Sequence, residues 1–151
     1  MEIKIKHFAE LNTEEIYEIL KLRNQVFVVE QKCIYQDCDD KDKIAYHLLG
    51  IEDGKIVAYL RILQKGVSYN EISIGRVLTD IDYRGRGLAR EIMIKAIYFI
   101  KNNLKEKEIK ISAQKYLTDF YKSLGFVINS NVYLEDGIPH VEMICNMIDD
   151  K

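Results

Sequence analysis

Gly75-Arg76-Val77-Leu78-Thr79, continuing through Asp80-Ile81-Asp82-Tyr83 into Arg84-Gly85-Arg86-Gly87-Leu88-Ala89-Arg90, decides the architecture. Its first part reads as a strand, its middle as a short connection, and its last part as a glycine-rich turn that opens a helix. From Gly87 to Asn102 the apolar residues Leu88, Ile92, Ala96 and Phe99, with Met93, Ile97 and Ile100 alongside, make one face of a strongly amphipathic helix. The first turn of any helix has N–H groups without an internal partner, and these together with the positive dipole end attract anions. Gly85 and Gly87 carry no Cβ, so a diphosphate can approach the backbone. Arg84 and Arg86 add forked donors that suit phosphate. A Walker A loop would place lysine and then Ser or Thr after the last glycine, but Leu88-Ala89 stand there. A dinucleotide fingerprint would want a small residue where Arg90 stands. A plain glycine turn with surface arginines is the remaining alternative.

Outward from this segment the chain alternates strands and helices. Glu2 to Phe8 reads as a strand, and Asn12 with Glu15 as a capping box opening a helix to about Val28, with Arg23 interrupting its apolar stripe. Glu30 to Lys43 is polar, acidic and irregular, and reads as a loop or a short helix lying over the core. Tyr46 to Glu52 and Lys55 to Leu63 flank Asp53-Gly54 and predict a hairpin. Glu71 to Thr79 and Glu108 to Ala113 read as strands. Thr118 to Leu124 is a short helix stopped by Gly125. Val127 to Leu134 and Val141 to Met147 flank Glu135-Asp136-Gly137-Ile138 as a terminal hairpin. This order predicts an α/β or α+β layer fold with one mixed sheet, as a single domain over 1–151.

The composition excludes several classes. The net charge of −2 offers no basic surplus for phosphates, so no nucleic-acid partner is expected. No apolar run approaches the roughly 20 residues of a spanning helix, and the start of the chain has no secretory h-region, so no membrane partner is expected. Three cysteines, Cys33, Cys38 and Cys145, point to reduced thiols and a cytoplasmic location. Asp37, Asp39, Asp40 and Asp42 lack the glycine and ligand spacing of an EF-hand and read as a solvated acidic loop, with attraction of a cationic amine as the alternative. No metal is expected.

The Arg-x-x-Gly-x-Gly/Ala pattern, met by Arg84, Gly87 and Ala89, resembles the signature of the GNAT superfamily of acyl-CoA N-acetyltransferases. Asp119-Phe120-Tyr121-Lys122-Ser123-Leu124-Gly125-Phe126 resembles a second segment of that superfamily. More narrowly the chain is similar to the ElaA branch, through Leu22 to Gln31, Arg76-Val77, Gln114 to Leu117 and Glu135 to His140. The resemblance implies a mixed, mostly antiparallel sheet with helices on both faces. It implies acetyl-CoA as cosubstrate, with Val77, Leu78 and Thr79 at the pantetheine arm near a bulge, and Arg84, Gly85, Arg86, Gly87, Leu88 and Ala89 at the pyrophosphate. It also implies Tyr121 near the cofactor sulfur, where a phenol can give a proton to a leaving thiolate. On composition alone, Tyr121 is a packing aromatic.

The implied activity is acetyl transfer to a primary amine of a small molecule or peptide, by direct attack in a ternary complex. The amine must be neutral to attack, so a proton acceptor is needed. Glu30, where ElaA-like chains carry Glu-Gln, His47 at a strand start, and His140 on the terminal hairpin all stay open as that base. Glu142 beside His140 is a further candidate, and Glu71 a weaker one. A non-catalytic acyl-CoA-binding module is the rival reading. The terminal hairpin could also pair two subunits as a homodimer.

Overall fold

The computed structural model describes residues 1–147; the last four residues of the expected 1–151 domain lie outside the described residues. Strands β1 (Glu2–His7), β2 (Tyr46–Glu52), β3 (Lys55–Leu63), β4 (Ile72–Thr79), β5 (Glu108–Gln114), β6 (Phe126–Ile128), β7 (Tyr133–Glu135) and β8 (Ile138–Asn146) form one sheet. Helices α1 (Thr13–Arg23), α2 (Leu88–Asn102) and α3 (Thr118–Lys122) complete the α+β frame. The strand order is β1-β2-β3-β4-β5-β8-β6, with β7 also on β8. Every pairing is antiparallel except β4 with β5.

Side-chain alternation sends neighbouring residues to opposite faces. Leu48, Leu60 and Ile74 face α2, whose Leu88, Ile92, Met93, Ala96 and Ile100 fill the main core. Leu49, Tyr59 and Leu78 turn the other way and meet Ile19 and Val26. Helices therefore cover both faces. At full burial each such aliphatic side chain contributes about 1.5–3 kcal/mol, so the two clusters fix the sheet's register. Among the described residues no helix is long and apolar enough to cross a membrane.

The capping box at Asn12 and Glu15 forms as the sequence predicts, each side chain bonding the other's backbone N–H. The helix itself departs from expectation. Regular α winding ends at Arg23, and residues Asn24–Glu30 continue in a wider coil with bonds such as Gln31 N–H to Val26 O. The expected strand Val127 to Leu134 is two short strands, β6 and β7, separated by residues 129–132. Both lie along β8, so the hairpin turn at Asp136-Gly137 joins only β7 to β8.

Two irregularities open the middle of the sheet. β4 and β5 pair only at Ile72–Ile109 and Ser73–Lys110, then part. On the other side of β4 the register jumps: Tyr59 faces Leu78 but Arg61 faces Gly75. β4 thus holds one extra residue, a bulge, and Arg76 within it takes φ of 53°. The bulge reverses the strand's parity, so Val77 rather than Arg76 joins the main core.

Candidate active site

The parting of β4 from β5 becomes a cleft of about 760 Å³. One end is the glycine turn. Gly85 and Gly87 have φ of 81° and 75°, left-handed values that only glycine adopts without cost. A Cβ built at either would meet nothing within 4 Å, so the space before the backbone is open. Gly87 is the N-cap of α2 and supplies no side chain to cap the first turn. Those N–H groups and the open space before them therefore suit an anion.

The arginines are arranged differently from the sequence reading. Arg84 is clamped on Glu30, with Nη1 2.7 Å from Oε2 and Nη2 3.0 Å from Oε1, and its Nε donates to Thr79 O. Two expected site residues thus meet each other. Arg86 leans over the Tyr83 ring and pairs with Glu52, outside the cleft lining. Arg90, in the first turn of α2, lines the cleft and donates to Ser123 Oγ at 2.7 Å. In the sequence Arg90 stands out only as the residue that breaks a dinucleotide fingerprint, yet its place in the first turn of the helix is the signal that points it at the cleft.

Val77, Leu78 and Thr79 border the cleft along the open edge of β4, with Leu88 and Ala89 facing them from α2. Tyr121 reaches the same space from α3. It is only 7% exposed, packed edge-on against Phe120 and Phe126. Its hydroxyl has no hydrogen-bond partner among the described residues. Burial, with the neighbouring Tyr116, pushes its pKa up to about 12. At neutral pH the phenol is protonated and has a proton to donate.

The other end of the cleft is polar and built from distant segments. The loop of Asp37, Asp39 and Asp42 is not the solvated acidic loop expected. Arg23, fully buried, donates to Asp37 Oδ2 at 2.7 Å and to Asp42 Oδ1 at 2.6 Å. Arg61 bonds Asp39 and Asp42, and Arg76 bonds Asp37. Three guanidiniums and three carboxylates share charge, which is the condition for burying either kind. Burial opposes ionisation of Asp39, but hydrogen bonding and the charge of Arg61, then of Arg76, outweigh it and bring its pKa down to about 2. The network explains why Arg23 interrupts an apolar stripe, and it pins Arg76 in its left-handed conformation.

His47 does not reach the cleft. Its ring is 2% exposed, with Nδ1 2.6 Å from Tyr59 Oη and Nε2 2.9 Å from Asp42 O. Burial lowers its pKa, favouring the neutral ring. Both nitrogens are engaged inside the protein, so it is a structural link rather than a base. His140 does line the cleft, as does Glu30 beside Arg84. Glu71 and Glu142 both face Lys110, at 3.8 and 3.6 Å. Among the described residues no cluster of His, Cys, Asp or Glu could hold a metal.

A splayed parallel strand pair, a bulged strand before a glycine turn, and a tyrosine at the cleft floor define the acyl-CoA N-acyltransferase type of fold. The family model of the acetyltransferase (GNAT) domain matches residues 9–147. The chain belongs to the GNAT acetyltransferase family. It is 38% identical to the protein ElaA of Escherichia coli over 144 residues, 94% of each chain. The crystal structure of that ElaA superposes with a TM-score of 0.90 at 37% identity, covering 97% of this chain and all of that one. An acyl-CoA N-acyltransferase from Pseudomonas aeruginosa gives a TM-score of 0.90 at 39% identity, covering 95% of this chain and 98% of that chain. A UPF0039 protein of Schizosaccharomyces pombe is 41% identical over 145 residues, 95% of each chain.

Proposed function

We propose that this chain transfers an acetyl group from acetyl-CoA to a primary amine of a small molecule or peptide, with both bound at once. The supporting observation is the continuous cleft from the uncapped start of α2, along the bulged edge of β4, to the free hydroxyl of Tyr121. Acetyl-CoA brings the acyl group as a thioester, which a neutral amine can attack.

The chain's own contribution is to bind, orient and supply hydrogen bonds. The backbone of the glycine turn and first turn of α2 holds the diphosphate. Beyond Ser73 the edge of β4 has no ladder partner on β5, so its main chain is available to the pantetheine arm and the acyl oxygen. Holding two reactants side by side removes much of the entropy cost of their meeting. Tyr121 donates a hydrogen bond toward the sulfur as negative charge gathers there. With a pKa near 12 it is a weaker acid than a thiol of about 8.5, so it stabilises the leaving group chiefly as a donor. Three free thiols suit a reducing cytoplasm, which we take as its location.

Calorimetric titration with acetyl-CoA, followed by thiol release over a panel of primary amines, tests the reading. Saturable binding and amine-dependent release are expected. Binding without release under any amine would favour the non-catalytic module, and absence of binding by folded protein would remove the cofactor assignment.

A further inference from the structure

The acceptor end of the cleft holds one titratable pair whose hydrogen bonding is incomplete. His140 sits on β8 between β5 and β7, facing Gln114 on one side and Tyr133 on the other. Its Nδ1 lies 2.6 Å from Ile138 O. A carbonyl only accepts, so Nδ1 carries a proton, and in the neutral ring the lone pair is on Nε2. Tyr133 stacks on the ring, with centroids 6.1 Å apart and planes 22° apart. The tautomer and orientation are both fixed.

Nε2 lies 3.4 Å from Glu135 Oε2. With neutral histidine these are two acceptors facing each other, an arrangement that calls for a shared donor. The rest of the group supplies none. Ser112 Oγ bonds the Tyr133 hydroxyl and lies 3.4 Å from Glu135 Oε1, so on Glu135 it reaches only the other carboxylate oxygen. Ser112, Glu135 and His140 all line the cleft. A nitrogen about 2.8 Å from each of Nε2 and Oε2 forms a triangle on that 3.4 Å base. The rival bases lack this geometry: Glu30 is held by Arg84, and His47 is enclosed.

We infer that Glu135 and His140 Nε2 together receive the ammonium group of a cationic acceptor, and that His140 takes the proton it must lose. This rests on the transferase reading above. The ammonium gives one proton to Nε2. The neutral nitrogen then forms the C–N bond to the acyl carbon while the C–S bond breaks, and its second proton ends on the departing sulfur. The products are the amide, the free thiol and protonated His140, which returns its proton to solvent. Glu135 offsets the imidazolium charge at the moment it forms.

The test compares His140→Gln and Glu135→Gln with wild type. The acceptors are a lysine peptide and a short diamine, both ammonium ions at mildly alkaline pH, and hydroxylamine, which is neutral there. His140→Gln should lower kcat for the ammonium acceptors by about 10²–10⁴-fold, with acetyl-CoA affinity and melting unchanged. With hydroxylamine, which has no such proton to lose, the deficit should shrink at least about tenfold. Glu135→Gln should raise KM for the ammonium acceptors and leave hydroxylamine's KM unchanged. A deficit equal for all acceptors, or His140→Gln turnover within about twofold of wild type, overturns the assignment. Should His140→Gln not fold, Glu135→Gln decides, and an indifferent KM overturns it. A wild type without amine-dependent thiol release overturns the transferase reading and this one with it. Wild-type turnover with indifferent variants removes this one alone.

Discussion

The two ends of the cleft are built by opposite means. At the end beneath α2 the working surface is backbone: two left-handed glycines, an uncapped helix start and an unpaired strand edge, supplied by one run of residues from 72 to 90. At the far end it is side chains: Asp39, Arg61, Arg76, Glu135 and His140 line it from four separated parts of the chain, with Arg23 and Asp37 buried behind them. Backbone recognition needs only local conformation, so it can bind a constant ligand part with few constraints on sequence. A side-chain site needs the whole fold to assemble it, and single substitutions there remove both charge balance and shape. On the proposed function, the first end would take the invariant cosubstrate and the second the particular acceptor.

Several substitutions would break or sharpen this contrast. The largest effect is expected at Arg23. Replacing it by Met leaves Asp37, Asp39 and Asp42 with only Arg61 and Arg76 to balance them and should cost about 3–5 kcal/mol, read by urea denaturation; a loss under about 1 kcal/mol would mean the network is not structural. Next comes Gly87→Glu, which puts a carboxylate into the open space before α2. Like-charge apposition of several kcal/mol should weaken acetyl-CoA binding by about 100-fold or more. Since Gly87 has φ of 75°, strain must be separated from repulsion. Gly87→Asn, which tolerates left-handed backbone and is uncharged, should keep most of the affinity, and equal loss in both variants would point to strain alone.

Tyr121→Phe should lower kcat by about 10²-fold while acetyl-CoA affinity holds; parallel loss of both would make the residue a packing element. The smallest effect is a pH slope. The carboxyl of Asp39 titrates near 2 in the folded protein, below its ordinary 3.8. A depressed folded pKa contributes stability above the unfolded value, and that stability is lost as pH falls from about 4 toward 2. Asp39→Asn should therefore flatten the acid limb of a stability-against-pH curve in that window, and an unchanged limb would show that Asp39 is not coupled to folding.

How much was legible follows the same division. The hairpin at Asp53-Gly54, the Asn12–Glu15 cap and the face of α2 were read correctly because each depends on neighbours within a few residues. The glycine turn was legible for the same reason. The break between the short strands β6 and β7 is itself written in the sequence, as the turn-favouring run Asn129-Ser130-Asn131, but the apolar residues on both sides carry a single-strand pattern across it. Arg86 was read as a phosphate ligand because its sequence place suits one, yet Tyr83 and Glu52 hold it elsewhere. His47 and His140 were indistinguishable as letters; burial between Tyr59 and Asp42 separates one from the cleft, and the β8 platform delivers the other to it.

By itself the sequence determined the periodicities, the turns and the glycine-rich helix start, and through their resemblance to known motifs the family. Those are properties of short stretches of backbone, fixed by sterics and by which residues can face a core. Only the tertiary structure decided which charges cancel. The nearest carboxylate partners of Arg23, Arg84 and His140 lie 14, 54 and 5 positions away, and spacing along the chain does not say which pairs the low-dielectric interior will require.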